Sequence, residues 1–392
     1  MRASRWWSVE AMNTTTTAGT LPAAARTQPP SSVVGPWAWL RANLFTSVTS
    51  TAVSLLLAYV IVRFAISFVD WGFVHAVWIV PTNEATGQAD SSACLNVKGT
   101  GACWAVITDK WRFILFGRYP FAEQWRPAIC IALFIALYAA SAMRRFWRKE
   151  LLFVWVGTLA LIGVLMWGGV LGLPYVPQDV WGGLPITLIL ATFGLAFAFP
   201  LAVLVALGRR SKKLPAVKLL SVVYVELIRG VPLISLLFMA SVMFPLFMPE
   251  GVNIDKLLRA QIAIILFAGA YLAEVVRGGL QALPKGQYEA ADALGLSYWK
   301  KTGLIVLPQA LRLVIPPLVN TFIGFFKDTS LVLIIGIFDL LTAGKVALSD
   351  TAWQGFSTEV YIFLALIYFA FCFAMSRYSR GLEAEFNRSR RR

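Results

Sequence analysis

Long apolar runs separated by short clusters of charge dominate the chain. A helix needs about 20 mostly apolar residues to cross a bilayer, and eight stretches meet or approach that length. Leu44–Val69 carries Arg63 as its only charge, and Pro127–Met143 is a shorter candidate. Leu151–Gln178 and Trp181–Gly208 contain no charged side chain. Gly230–Met248 follows, then Leu257–Val276 with Arg259 and Glu274 towards its ends. Leu313–Leu341 is interrupted by Lys327, Asp328 and Asp339, and Val360–Ser376 is the last. The pattern predicts an all-α, polytopic membrane protein with about eight transmembrane helices.

The polar stretches set the topology. Residues 1–40 are rich in Thr, Ala and Pro and lack the charged start, apolar centre and cleavage site of a signal peptide. They are expected to form a disordered cytoplasmic arm, with Trp37 and Trp39 as an interfacial anchor. Starting inside, eight crossings return the C-terminus to the cytoplasm. The basic clusters Arg144–Lys149 and Arg209–Lys213, the loop with Lys285, Lys300 and Lys301, and the arginine-rich tail over 379–392 then all face inward, as the positive-inside bias requires. The loop over 70–124 faces outward. The spans before Val180 have little polar content at membrane depth, whereas those after it carry charged and small residues in dense patterns. A boundary near Val180 therefore divides an N-terminal transmembrane extension, 41–180, from a core, 181–378.

Composition agrees with the pattern. Of 392 residues, 58% are hydrophobic and 14% charged, with a mean hydropathy of +0.69; soluble domains average roughly 45–50% and about 25%. The net charge of +15 sits in loops between spans, and no free basic domain is left to bind nucleic acid. Of four cysteines, Cys130 and Cys372 lie in apolar runs as packing residues, while Cys94 and Cys103 lie in the outward loop, where a disulfide can form. His75 is the only histidine, which argues against a metal site and against a Ser–His or Cys–His nucleophile.

The most informative loop follows the sixth span. Leu283-Pro284-Lys285-Gly286 is a turn, Gln287–Leu294 contains good helix formers with a thin surface at Ala290, Ala291 and Ala293, and Gly295 supplies a C-terminal stop. Ser297 is placed to cap a second short helix, and Glu289 lies near the first helix's N-terminus. On physics alone this helix–Gly–helix projection is either a docking surface or an amphipathic connection resting on headgroups.

The spacing Glu289-Ala290-Ala291, three residues, Gly295, nine residues, Ile305, one residue, Leu307-Pro308 resembles the E-A-A-x3-G-x9-I-x-L-P signature of permease subunits in binding-protein-dependent ABC importers. The resemblance implies a type I permease core and a coupling helix, with Glu289, Ala290, Ala291 and Gly295 meeting the ATP-hydrolysing subunit and Ile305, Leu307 and Pro308 completing the signature. Glu226-Leu227-Ile228-Arg229-Gly230-Val231-Pro232, Gly183-Leu184 with Thr187-Leu188, Tyr271–Gly279 and Phe326–Leu331 resemble the polar amino-acid uptake branch. The three leading spans resemble the long-form permeases of general L-amino-acid importers. This resemblance further implies an ATPase subunit in two copies, a second permease subunit, a periplasmic amino-acid-binding protein, and a place in the bacterial inner membrane.

A charge at bilayer centre costs about 2.5–3.5 kcal/mol, so Lys327 and Asp328 are expected to face protein or water, as a structural pair or as the lining of a path for a zwitterion. Thr187, Glu226, Arg229 and Thr329 are the other candidates for that path. Glu274 with Arg277, and Glu226 with Arg229, have the spacing of local ion pairs. No phosphate-cradling loop is present: Gly344-Lys345 is preceded by Asp339 where a glycine belongs and followed by Val346. The chain is thus expected to be a transport subunit, not an enzyme, binding no cofactor while ATP is hydrolysed by its partner. A transporter driven by an ion gradient is the alternative.

Overall fold

The computed structural model describes residues 35–82, 89–252 and 254–390, with side chains to 384. The expected arm lies outside these residues except for 35–40, as do 391–392 of the basic tail. The chain divides into two compact units, Met1–Asp70 and Trp71–Arg392.

The first unit has two helices, α1 (Pro36–Leu44) and α2 (Val48–Val69). Ser47 caps α2 by accepting the Ser50 amide at 3.1 Å, and the Ser50 and Ser54 hydroxyls both donate to the Leu44 carbonyl at 3.0 Å. These bonds fix the corner between the helices by satisfying groups that a helix end leaves free. Trp37 and Trp39 are exposed on α1, where rings with one polar edge suit a headgroup layer.

The second unit opens with a loop region carrying α3 (Ser92–Asn96) and α4 (Ala105–Phe116). Helices α5 (Trp125–Ala142), α6 (Glu150–Trp167), α7 (Gly183–Arg210), α8 (Pro215–Gly230), α9 (Leu233–Phe238) and α10 (Lys256–Ala282) follow. A short projection, α11 (Lys285–Ala293) and α12 (Tyr298–Lys301), leads into α13 (Leu307–Asp328). The chain closes with α14 (Leu340–Ala347) and α15 (Ser357–Arg390). The one strand among the described residues, Phe338–Asp339, forms parallel bridges with Gly182 and Gly183.

Among the described residues, seven helices are long and apolar enough to cross a membrane, and α8 with the segment from Leu233 to Phe247 makes an eighth if counted as one broken span. The expected span Gly230–Met248 therefore counts only when α8 is joined to it, and the two parts meet at 102° where that span begins. Pro232 is the cause, because a residue before proline is driven out of the helical region, and Val231 sits at φ −110°, ψ 133°. Leu151–Gln178 is shorter than expected, since Gly168 at φ 66° ends α6. The span expected to Leu341 is α-helical to Asp328 and 3₁₀ to Ile335, so Asp339 lies beyond it and caps α14.

Contacts assign the elements to two ends. At the loop end, Arg126 at the start of α5 meets the carbonyls of Leu165 and Pro174, and Glu359 at the start of α15 meets Cys103. At the projection end, Arg209 and Arg210 of α7 meet Glu274 and Leu280 of α10. Between the ends, glycines bring backbones together. A Cβ on Gly194 would lie 2.9 Å from Ile264, one on Gly269 would lie 2.9 Å from Leu201, and one on Gly279 would lie 2.6 Å from Val314. Lipid tails are as apolar as leucine, so such helices associate through close packing, which small residues permit.

Candidate functional site

The projection is built as its sequence suggests. Gly295 takes φ +66°, its amide donates to Asp292 O at 2.9 Å, and the Leu296 amide reaches back to Ala291 O at 3.2 Å. This is the paired bonding of a Schellman stop, and the left-handed residue it needs is favoured to be glycine. Ser297 stands at the N-cap of α12, but its side chain makes no capping bond, contrary to the expectation for it. Pro308 enters at the second position of α13, after a π turn over Thr302–Val306. Proline has no N–H for the preceding turn.

Glu289, Ala290 and Gly295 are exposed, whereas Ala291 is 1% exposed and turned into the chain's own core. Lys285, Gly286, Gln287, Asp292 and Ala293 are exposed as well, so only Tyr288 and Ala291 of α11 turn towards the chain, and Ala290 and Ala293 are the small side chains on its open side. Ile305 and Leu307 are half-buried at the base of the projection, and Pro308 is exposed there. Three polar side-chain ties reach α11 from α13, α12 and α7, and its own Tyr288 hydroxyl donates to Leu280 O of α10 at 2.8 Å. Gln309 donates to Gln287 at 3.1 Å, Lys301 pairs with Asp292 at 2.5 Å, and Arg210 donates to the Tyr288 hydroxyl at 2.8 Å.

The ion pairs beside it differ in part from their prediction. Arg277 pairs with Glu274 as expected, but Arg209 bridges Glu274 at 2.6 Å and Glu226 at 2.9 Å. Arg229 instead lies over the Tyr271 ring, 5.3 Å from its centroid. One arginine of α7 thus joins α8 to α10. Arg209 and Arg210 were legible only as a basic cluster after an apolar run, and nothing in the sequence signals their partners.

The path candidates fall in separate places. Thr187 and Thr329 are fully buried near the loop end. The Thr187 hydroxyl accepts the Leu340 amide at 3.1 Å, and the Thr329 hydroxyl donates to Phe326 O at 2.8 Å. Tyr368, whose hydroxyl is 3.4 Å from Asp339, is also within reach of both threonines. Asp339 in turn accepts the Leu341 and Thr342 amides and the Thr342 hydroxyl. This buried cluster gathers α7, α14 and α15, and sequence reasoning missed Tyr368 and the capping role of Asp339. Lys327 is exposed and Asp328 half-buried at the end of α13, while Glu226 and Arg229 belong to the projection end.

In the loop region, Cys94 and Cys103 form a disulfide with Cα atoms 5.4 Å apart. The Cys103 amide donates to the buried carboxylate of Glu359 at 2.9 Å, and the Trp353 indole donates to Asp109 at 2.7 Å. Lys110 pairs with Asp350 at 2.7 Å. The region is therefore fastened to the connection between α14 and α15.

Long apolar helices with a polar helical projection at one end mark a polytopic membrane protein. Residues 198–388 match the family described as binding-protein-dependent transport system inner membrane component. The inner membrane amino-acid ABC transporter permease protein YhdY of Escherichia coli (strain K12) is 49% identical over 358 residues, which span 90% of this chain and 93% of that one. The glutamate/glutamine/aspartate/asparagine transport system permease protein BztC of Rhodobacter capsulatus is 39% identical, covering 92% of this chain and 96% of that protein. A solved structure described as an amino acid ABC transporter with histidines is 32% identical over 52% of this chain and 92% of that one, with a TM-score of 0.46. The chain belongs to the family of inner membrane permease subunits of binding-protein-dependent ABC transporters. Membership decides for an ATP-driven importer over one driven by an ion gradient, and it implies ATPase and binding-protein partners.

Proposed function

We propose that this permease subunit conducts amino acids, and that α11 is the surface through which a separate ATPase subunit drives it. The observation that carries the second part is the geometry of α11. Its exposed side is polar and small, with Glu289 and Asp292 beside Ala290 and Ala293, and a glycine in left-handed conformation ends it cleanly. Small side chains let another protein approach the backbone, and the three ties keep the helix from slipping when pushed. A helix that merely rested on headgroups would need a broad apolar face, which this one lacks.

The names of the relatives support amino acids as cargo. On this reading ATP is hydrolysed by the partner, in two copies, and this chain holds no cofactor. A second permease subunit completes the pathway, and a periplasmic protein delivers substrate. The projection end faces the cytoplasm together with both termini, which puts Arg144–Lys149 and Arg209–Lys213 inside, where the positive-inside bias favours them. The permease domain runs over 181–378, preceded by the extension over 41–180 and followed by the basic tail. Lys327 and Asp328 border the path, Thr187 and Thr329 stand behind it in the buried cluster, and Glu226 and Arg229 stand at its cytoplasmic mouth. Rigid-body rocking of the helices then alternates access.

A cysteine placed at Ala290 tests the docking surface. In membranes containing the assembled transporter, it should cross-link to the ATPase subunit, and a cysteine at Leu171, at the opposite end of the bundle, should not. Equal cross-linking at both positions would contradict the proposal. Loss of uptake of a radiolabelled L-amino-acid panel in cells lacking this chain tests the cargo.

A further inference from the structure

The three ties on α11 are not equivalent. Gln309 and Lys301 belong to α13 and α12, which follow α11 in the chain and move with it through the backbone. Helix α10 precedes it and is joined through Leu283 and Pro284. Helix α7 has no such covalent link: Arg210 stands 78 residues from Tyr288. It is nevertheless reached directly. The Arg210 guanidinium donates to Leu280 O at 2.6 Å and to the Tyr288 hydroxyl at 2.8 Å, and the Tyr288 hydroxyl donates to Leu280 O at 2.8 Å. The same guanidinium lies 5.3 Å from the centre of the Tyr288 ring.

Each side of this triangle has a chemical reason. Leu280 is in the last turn of α10, where carbonyls have no partner within the helix and attract cationic donors. Arg210 is the last residue of α7, so its long side chain leaves the helix end and spans the gap. Tyr288 can accept from arginine and donate to the carbonyl at once, because a phenol does both. Arg209 alongside binds Glu274 of α10 and Glu226 of α8. Adjacent arginines thus gather the ends of α7, α8, α10 and α11.

Resting on the reading of α11 as the coupling surface, we infer that Arg210 and Tyr288 are positioning residues for coupling: they pass displacement of α11 to α7, so that α7 and α10 tilt together when the ATPase closes. Neither touches ATP or substrate. The Arg210–Tyr288 bond is open to solvent, so water replaces it at little cost to the fold. Its loss should therefore appear in transmission before it appears in stability.

The test uses the whole transporter in liposomes, with the ATPase subunit, the binding protein and ATP, and a radiolabelled mixture of L-amino acids as probe. ATP hydrolysed per amino acid imported is read in the same vesicles. Tyr288→Phe, which keeps the ring and removes the hydroxyl, should raise that ratio about tenfold, within the range by which residues between coupled sites change coupling. Arg210→Leu should do the same, and Arg210→Lys, which restores a cation with several donors, should recover part of the loss. The double variant should be no worse than Arg210→Leu alone, because the Tyr288 hydroxyl reaches α7 through that guanidinium. Unchanged ratios in Tyr288→Phe and Arg210→Leu would overturn the inference, as would hydrolysis and uptake falling together at a constant ratio. Ala290→Trp on the open face separates the two levels. If it displaces the ATPase while the Tyr288 and Arg210 variants leave the ratio alone, docking stands and the inference falls; if it leaves the ATPase bound and coupled, the docking reading fails and the inference with it.

Discussion

The two ends of the second unit are held by different chemistry. At the loop end the main ties are covalent or buried, namely a disulfide, a carboxylate of Glu359 closed off from water and Arg126 with no exposed surface, with the half-exposed Lys110–Asp350 pair beside them. At the projection end the ties are hydrogen bonds and ion pairs, several with a partner open to solvent, such as Asp292 and Glu226, and the others half-buried, such as Arg209 with Glu274. A buried polar contact is costly to break because its members lose water without regaining it, whereas an exposed one exchanges partners cheaply. The contrast fits the proposal that the loop end stays fixed while the projection end is moved.

The largest effect that would break this contrast comes from Arg126. Its guanidinium donates to Leu165 O, Met166 O and Pro174 O, which closes the end of α6. Arg126→Ala should lower unfolding stability by about 3 kcal/mol, because it leaves buried carbonyls without a donor at about 1–3 kcal/mol each, measured by thermal melting in detergent. A small shift would mean that water reaches the loop end freely. Next comes the disulfide. Removing it as Cys94→Ser with Cys103→Ser should cost about 2.5 kcal/mol, the chain-entropy value for a short loop, while ATP consumed per imported amino acid stays constant. A rise in that ratio would show that the loop end takes part in coupling.

The smallest effect sharpens the comparison by pH. Lys110 at 2.7 Å, with help from the Ala352 amide, holds the Asp350 carboxyl below its ordinary value. A depressed carboxylate contributes stability that is fully present above its unfolded value of about 3.9 and is lost as pH falls through the lower folded value. Asp350→Asn should therefore lower stability by about 0.5 kcal/mol, by the same amount at about pH 8 and about pH 5. A difference that changes between those two pH values would mean that another group controls this tie.

Much of the fold was legible because lipid imposes one rule: an apolar run of sufficient length becomes a helix. The α8–α9 bend was also written in Val231-Pro232, but uniform apolarity hid it. Gly295 could be placed from sequence because a left-handed stop has a residue preference. Arg126 and Arg210 could not, since their partners lie 39 and 78 residues away and are in part carbonyls, which have no sequence signature. Ala291 shows a related limit. Its place in the motif marks it as important, yet only the packing reveals that it faces inward while Ala290 faces out.

The most direct test of the projection as the moved end is ATP hydrolysed per amino acid imported in Gly295→Val. Space is not the obstacle, since no atom lies within 4 Å of an added Cβ; the obstacle is the backbone at φ +66°, which a β-branched residue resists. The account predicts a ratio raised about tenfold, with membrane insertion intact and a melting temperature close to that of the natural sequence. A variant that inserts, binds the ATPase and imports at the natural ratio would contradict it.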